Sequence, residues 1–200
     1  MLGLLTLTWL TSMLGHALPA YDLPGWLALG GAQFWSGQIW RLATYPLVSA
    51  GILDLIMNNL ALVILGGLLE RHWSRGEFWV YCLVAATGAG LAKVALPWSS
   101  SSPLTGAAPV MFGLLIAWGF LCGREAITLF LLGEITVWKL VLIAGAISIM
   151  TLLFTAGLIP ALILTGGGLT GFLYLWCKHQ WQMSRPGSMV HSERIHRLEL

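Results

Sequence analysis

The sequence predicts an all-α membrane protein, a single-domain bundle of six transmembrane helices. Hydrophobic residues make up 58% of its 200 residues and charged residues only 9%, which leaves too little polar surface to cover an apolar interior in water. Apolar runs long enough to cross about 30 Å of hydrocarbon recur along the chain. They are solidly apolar, whereas the strands of a membrane barrel alternate apolar and polar residues, so the sequence favours helices.

Six apolar segments are the predicted spans. They cover residues 2–18, 52–69, 78–96, 107–121, 137–154 and 159–176. The first segment ends in Ala17-Leu18-Pro19-Ala20, which resembles a signal-peptidase site. A cleaved signal normally opens with a basic residue, however, and this segment does not, so we expect a retained span.

The connections between the spans differ in character. Residues 21–48 contain prolines, glycines and tryptophans and predict a structured interfacial loop with aromatic rings at headgroup depth. Residues 98–103 form a polar serine loop, and residues 122–136 a short, partly amphipathic connector. Residues 179–200 are polar and rich in Ser and Arg, which predicts a disordered tail.

Basic residues predict the orientation of the bundle. Six spans place both termini on one side, and most Lys and Arg residues fall on that side: Arg71, Arg75, Arg124, Lys139, Lys178, Arg185, Arg194 and Arg197, against Arg41 and Lys93. Because cytoplasmic loops carry an excess of basic residues, we expect both termini to be cytoplasmic. The predicted location is a bacterial inner membrane.

Polar side chains inside the second span are candidate functional residues. Asp54 and Asn58 lie one helical turn apart and point the same way, and Asn59 flanks them. A carboxylate and two amides are costly in hydrocarbon, which makes a functional site the first hypothesis. The alternative is a structural cluster that bonds to neighbouring backbone or spans, and the spacing leaves both open.

Glycines in two other spans suggest close helix packing. Residues 166–168 and Gly171 lie in the sixth span, and Gly88 and Gly90 in the third. Small residues at such spacings let helix backbones approach each other. Near the start of the fourth span, Pro109 suits the first turn of a helix, whose free amides would face whatever lies beside it.

The cysteines and histidines suggest no cofactor. Cys82, Cys122 and Cys177 fall within or at the ends of spans, without a CxxC pair, and we expect no His partner for them. They are interpreted as small buried hydrophobic residues, a metal or disulfide role being the less favoured alternative. The spans contain no obvious axial ligand for a haem or chlorophyll, so we predict no metal or cofactor and at most a bound lipid.

Five ordered segments resemble the rhomboid intramembrane serine protease family, over about residues 38–175. Residues 40–44 (WRLAT) resemble its WR-x-x-T loop motif, residues 51–62 its second-helix signature, and residues 66–71 the G-x-x-x-E-[RK] ending of that helix. Residues 106–113 resemble the G-x-S-G-x-x-[FY]-G nucleophile motif, and residues 164–171 the H-x-x-G-x-x-x-G motif of the sixth helix.

The departures from these motifs fall on the chemical groups. In active members the serine attacks a peptide carbonyl, the sixth-helix His takes its proton, and a second-helix His and Asn hold the oxyanion. Here the serine position is Ala108, the base position is Leu164, and the second-helix His position is Asp54. Only Asn58 is retained. A laboratory Ser to Ala change alone would have left the histidine in place.

The resemblance therefore implies a catalytically inactive pseudoprotease. An aspartyl mechanism would need a second carboxylate beside Asp54, and Asp22 is the only other acid expected on that side. We expect a non-enzymatic subunit or scaffold that binds a transmembrane protein or a multi-subunit membrane complex, together with lipid and without nucleic acid. The alternatives are a free-standing binder of membrane clients and, least favoured, a peptidase with an altered nucleophile.

The predicted partner-binding residues follow from the same motifs. They are Trp40, Arg41, Asp54, Asn58 and Asn59. The resemblance also implies a gap between the second and fifth spans, through which active members admit a substrate helix from the lipid.

Overall fold

The computed structural model of the protein describes residues 3, 6–11, 23–49, 51–96, 103–129 and 133–183. Residues 6–11 are helical. The elements that follow are α1 (Leu23–Leu27), α2 (Gly31–Trp35), α3 (Arg41–Thr44), a 3-10 turn (Tyr45–Leu47), α4 (Ile52–Leu69), α5 (Arg75–Ala95), α6 (Ala108–Cys122), β1 (Ala126–Leu129), β2 (Gly133–Thr136), α7 (Val137–Thr155) and α8 (Leu158–Met183).

Four of the described helices are long and apolar enough to cross a membrane: α4, α5, α7 and α8. The 15-residue α6 is a shorter apolar helix. Of the first predicted span, residues 2–18, the described part is residue 3 and residues 6–11, all helical. The protein is thus a mostly helical integral membrane protein, as the composition predicted.

Local sequence explains where these helices begin. Ser74 accepts a hydrogen bond from the Glu77 amide and Glu77 Oε2 accepts one from the Ser74 amide, a capping box that starts α5 three residues before the predicted span. Pro109 lies in the first turn of α6, where a missing amide proton costs nothing. The predicted bounds of α4 are correct, and those of α6 and α7 are within one residue.

The C-terminal tail begins later than the sequence predicted. Residues 179–183, assigned to a disordered polar tail, form the last part of α8, so this prediction was wrong for them. Lys178 Nζ lies 2.6 Å from Glu77 Oε1, and the His179 ring meets the Phe120 ring edge-on at 6.1 Å. These contacts with α5 and α6 stabilise the helical conformation of the polar residues at the end of α8. Residues 184–200 lie outside the described part of the chain.

The connector between α6 and α7 contains a two-stranded antiparallel hairpin. Ala126 pairs with Thr136 and Leu129 with Gly133. The sequence predicted an amphipathic connector here and no strands, because four-residue strands are too short to show a periodic pattern.

Glycines of α8 place that helix against both α5 and α6. A Cβ atom on Gly167 would lie 3.0 Å from the Pro109 carbonyl oxygen and 3.2 Å from that of Ala85. A Cβ on Gly171 would overlap the Tyr81 hydroxyl, and one on Gly166 would lie 2.7 Å from the Ala92 Cβ. The predicted packing role of these glycines is confirmed. Helix α8 runs antiparallel to α5 and parallel to α6.

The first loop is a structured element, as predicted. Arg41 is buried, and its guanidinium donates hydrogen bonds to the carbonyl oxygens of Gly25 and Ala28, at 2.5 Å each, and to Gln38 Oε1 at 2.6 Å. The Tyr45 hydroxyl donates to the Ala86 carbonyl oxygen of α5 at 3.1 Å. Burial raises the pKa of Tyr45, so this hydroxyl keeps its proton for the bond.

A short backbone bridge joins the first loop to the segment before α6. The Leu29 amide donates to the Leu104 carbonyl oxygen at 3.0 Å, and the Leu104 amide donates to the Leu29 carbonyl oxygen at 2.7 Å. The start of α6 is therefore held by the first loop.

Candidate functional site

The candidate site begins with a polar pair at the start of α4. Asp54 lies in the first turn, a favourable position for a carboxylate at the positive end of the helix dipole. The Asn58 side-chain amide donates to Asp54 Oδ1 at 2.8 Å. Both residues are half-buried. The two side chains predicted to share a face therefore do so and bond to each other.

The turn before α6 lies beside this pair. Gly106 has a positive φ of 92°, a conformation that glycine adopts without strain, and its amide donates to the Val48 carbonyl oxygen at 2.8 Å. A Cβ on Gly106 would lie 3.7 Å from Asp54 Oδ2. The structure thus brings the α4 carboxylate against the turn that leads to Ala108.

The two positions predicted to have lost the nucleophile and the base lie at this same end of the bundle. Ala108 is the first residue of α6 and is exposed. Leu164 is buried on α8, one turn before Gly167, which packs on the Pro109 carbonyl. Because α6 and α8 are parallel, Leu164 lies toward the start of α6. The methyl of Ala108 and the isobutyl group of Leu164 offer neither a nucleophile nor a base.

The histidines in the described part of the chain lie far from Ala108. His72 Nε2 is 3.8 Å from the sulfur of Cys122, at the opposite end of α6, and His179 contacts Phe120 near that end. At 1.5 Å per residue, Ala108 and Cys122 are about 21 Å apart along the helix. Neither imidazole can take a proton from a group at position 108.

Three other predicted binding residues have different surroundings. Asn59 is buried, donates to the Leu55 carbonyl oxygen at 2.8 Å, and accepts a hydrogen bond from Thr8 Oγ1 at 3.0 Å. It ties the N-terminal helix to α4, away from the Asp54–Asn58 pair. Arg41 is used within the first loop, whereas Trp40 is about half exposed. Exposure leaves Trp40 accessible to a partner.

Helices α4 and α7 flank α6 and hardly contact each other. Both are poorly covered by the rest of the protein: 22% of the residues in the apolar stretch of α4 and 17% in that of α7 are buried, against 50% in α5. Their exposed side chains are large and apolar, among them Met57 on α4 and Ile147 on α7. Each of the two helices therefore presents an uncovered apolar face.

An apolar cavity of about 260 Å³ lies next to the candidate site. Its walls come from the N-terminal helix, the first loop, α5 and the start of α6, and include Leu7, Pro46, Trp79 and Ala107. Such a lining suits a hydrocarbon chain and offers almost no polar group for orienting a reactive ligand.

One side-chain cluster at the opposite end was not anticipated. His72, Cys122 and Glu125 bring one ligand atom each within 4.8 Å of one another. The interpretation that the cysteines have no nearby histidine was wrong for Cys122, and burial was wrong for Cys177, which is exposed. The predicted topology indicates that such a cluster can form, because the second and fourth spans end on the same side of the membrane.

The fold and the site define a class of protein, a polytopic helical membrane protein with a shorter apolar helix packed among longer ones. The family model that matches is the Rhomboid domain, over residues 36–181. The chain belongs to the rhomboid family, as its motifs predicted. A search of curated proteins found no significant match.

Proposed function

We propose that this rhomboid-family protein is catalytically inactive and binds a transmembrane segment of a partner as a subunit or scaffold of a membrane complex. The observation that carries the proposal is that Ala108 and Leu164 both lie at the end of the bundle where α6 contacts α4 and α8. Losing both the nucleophile and the base removes covalent catalysis and proton transfer together.

The remaining polar groups also argue against hydrolysis. Asp54 lies beside the Gly106 turn, where negative charge would develop on a substrate carbonyl during attack. The carboxylate oxygens there accept hydrogen bonds, whereas active sites of this kind direct donors at the developing oxyanion. One N–H of the Asn58 amide, the retained donor, is directed at Asp54 Oδ1.

The exposed apolar faces of α4 and α7 support the binding part of the proposal. A single transmembrane helix of a partner would lie between the two helices and cover both faces. The Asp54–Asn58 pair at the end of α4 would then lie within reach of a cation or donor of the partner. We propose that the protein is a six-helix bundle in the inner membrane of a bacterium. Both termini are then cytoplasmic, and the end with Asp54 faces the outside.

Purification in mild detergent tests the subunit proposal against the free-standing binder. The same partners at constant stoichiometry in every preparation support a subunit. Clients that vary in identity and remain substoichiometric support the binder instead. No copurifying membrane protein under gentle extraction would contradict both.

Site-directed photo-crosslinking tests where the partner lies. A photoreactive residue at Met57 or Ile147 should crosslink to the partner, and one at Leu91, equally exposed on α5, should not. Asp54→Asn should weaken the association while keeping the side-chain shape, with Glu70→Gln at the other end of α4 as the control. Wild-type association of Asp54→Asn and Asp54→Ala would exclude a role for this carboxylate in partner binding.

Activity assays test the proposal that the protein is catalytically inactive. Vesicles containing the protein and a transmembrane reporter should show no cleavage above that in empty vesicles. Cleavage that disappears in Asp54→Ala or on changing a nearby serine would establish the altered-nucleophile peptidase.

A further inference from the structure

The cluster of His72, Cys122 and Glu125 has the composition of a transition-metal site. It combines an imidazole, a thiol and a carboxylate, which are the three kinds of side chain that bind Zn²⁺. Each residue comes from a different segment: His72 from the α4–α5 turn, Cys122 from the end of α6, and Glu125 from the link between α6 and β1. Helix packing alone brings them together, because His72 and Cys122 are 50 residues apart.

The distances suit a tetrahedral ion. With Zn–S near 2.3 Å and Zn–N near 2.0–2.1 Å, two ligand atoms of a tetrahedral site are about 3.5 Å apart. The Nε2 of His72 is 3.8 Å from the sulfur of Cys122, and all three ligand atoms lie within 4.8 Å of one another. His72 and Glu125 are exposed, so small rotations of their side chains close the remaining difference.

The histidine is oriented as a metal ligand would be. Its Nδ1 lies 3.4 Å from the Leu68 carbonyl oxygen, one turn back along the chain. A proton on Nδ1 directed at that oxygen leaves the Nε2 lone pair facing Cys122. Metal-binding histidines almost always use their second nitrogen in this way, to a carbonyl or carboxylate.

Charge and access also fit a divalent cation. A thiolate and a carboxylate balance the two charges of the ion, which suits a site at the end of a membrane bundle. Lys178 of α8, which lines a pocket together with His72, is paired with Glu77 at 2.6 Å. A cavity of about 850 Å³, lined by Cys122, Arg124 and Glu125 among others, gives the ion a route and leaves a fourth position for water.

We propose that His72, Cys122 and Glu125 bind a divalent transition-metal ion, Zn²⁺, and that the ion clamps the α4–α5 turn to the end of α6 and to the hairpin. This proposal is independent of the proposed function, because the cluster lies at the other end of α6 from Ala108.

Cobalt substitution tests the ligand set directly. The full chain, free of any affinity tag and reduced, is titrated in detergent with Co²⁺, which should produce a thiolate-to-cobalt charge-transfer band at one ion per protein. Added Zn²⁺ should abolish the band by displacement. Cys122→Ser should lose the band, and Cys177→Ser, which removes an exposed cysteine of α8, should keep it. A band that survives in Cys122→Ser, or that disappears in Cys177→Ser, overturns the proposal.

A second pair of variants avoids disturbing the buried cysteine. His72→Gln and Glu125→Gln change exposed side chains, and each should weaken Zn²⁺ binding at least about 10–100-fold in a competition titration. Zn²⁺ should also raise the unfolding temperature of the wild type and raise it less in both variants. Zn²⁺ affinity equal to wild type in both variants contradicts the site.

Discussion

At the scale of single residues, the first loop depends on one buried cation. Arg41 fixes three acceptors of the loop with a planar fork of donors, and a lysine in its place has one nitrogen on a flexible stem. The residue predicted as a partner contact is thus used inside the protein. A WR-x-x-T match cannot separate the two roles, because recognition and loop closure use the same guanidinium.

We expect Arg41→Lys to weaken the loop by about 1.5–3 kcal/mol, the range for hydrogen bonds to a charged group. Limited proteolysis should then cut within the loop before the helices are cut. Arg71→Lys, on the exposed turn after α4, is the matched control and should leave the pattern unchanged. Equal protection of both variants would show that the loop does not depend on the guanidinium.

Position 108 gives a second residue-scale prediction. Ala108→Ser restores a hydroxyl but no base, because buried Leu164 cannot accept a proton and both described histidines are at the far end of α6. We expect this variant to leave a transmembrane reporter uncut in vesicles where an active rhomboid protease cuts it. Cleavage by the single variant would reveal a base elsewhere in the chain.

At the scale of helices, glycine spacing determines how closely α8 approaches its neighbours. Gly167 faces two backbone carbonyls that cannot rotate away, whereas nothing lies within 4 Å of a Cβ on Gly67 of α4. Replacing glycine by alanine is therefore expected to change the stability in opposite directions at the two positions.

Gly167→Ala should destabilise the protein by about 1–3 kcal/mol through overpacking. Gly67→Ala should stabilise it by up to about 1 kcal/mol, because alanine is the better helix former. Reversible unfolding in mixed micelles measures both changes. A neutral Gly167→Ala would mean that α6 and α8 can separate without cost.

The first turn of α5 offers a second comparison of side chains. Glu77 both closes the capping box with Ser74 and pairs with Lys178, so Glu77→Ala removes two interactions. The backbone amide at position 77 still donates to Ser74 Oγ, so we expect a cost of about 1–2 kcal/mol from the lost bond to the Ser74 amide and the lost ion pair. Lys178→Ala removes only the partly exposed ion pair and should cost less than about 1 kcal/mol. Equal losses in the two variants would show that the ion pair, not the cap, stabilises this end of α5.

Sequence patterns predicted the long elements better than the short ones. The 18-residue, mostly apolar run between Gly51 and Glu70 determined α4, because a helix satisfies its own backbone hydrogen bonds in lipid. The β1–β2 hairpin and the last residues of α8 depend instead on contacts with other segments. Composition alone assigned His179 to the tail, although Phe120 holds it in the bundle.

At the scale of the whole molecule, the bundle has two chemically different ends. The end with Asp54, Ala108 and Leu164 was predicted from ordered motifs, because each motif marks a position in a helix. The end with His72 and Cys122 was not, since their proximity arises only when α4, α6 and α8 pack. Residue spacing along the sequence predicts a site built from motifs and does not predict one built by helix packing.

The bridge between Leu29 and Leu104 has a consequence for the order in which the protein forms. It closes a loop of about 75 residues, and the entropy lost in closing such a loop is on the order of 4 kcal/mol. Two backbone hydrogen bonds do not offset that loss alone, so the bridge requires α4 and α5 to be packed first.

We expect the Leu29 and Leu104 amides to exchange with deuterium together, at a rate that Gly167→Ala increases for both. Independent exchange of the two amides would contradict a shared opening. During synthesis, the first loop would therefore stay at the membrane surface without its bridge until the ribosome has synthesised α6.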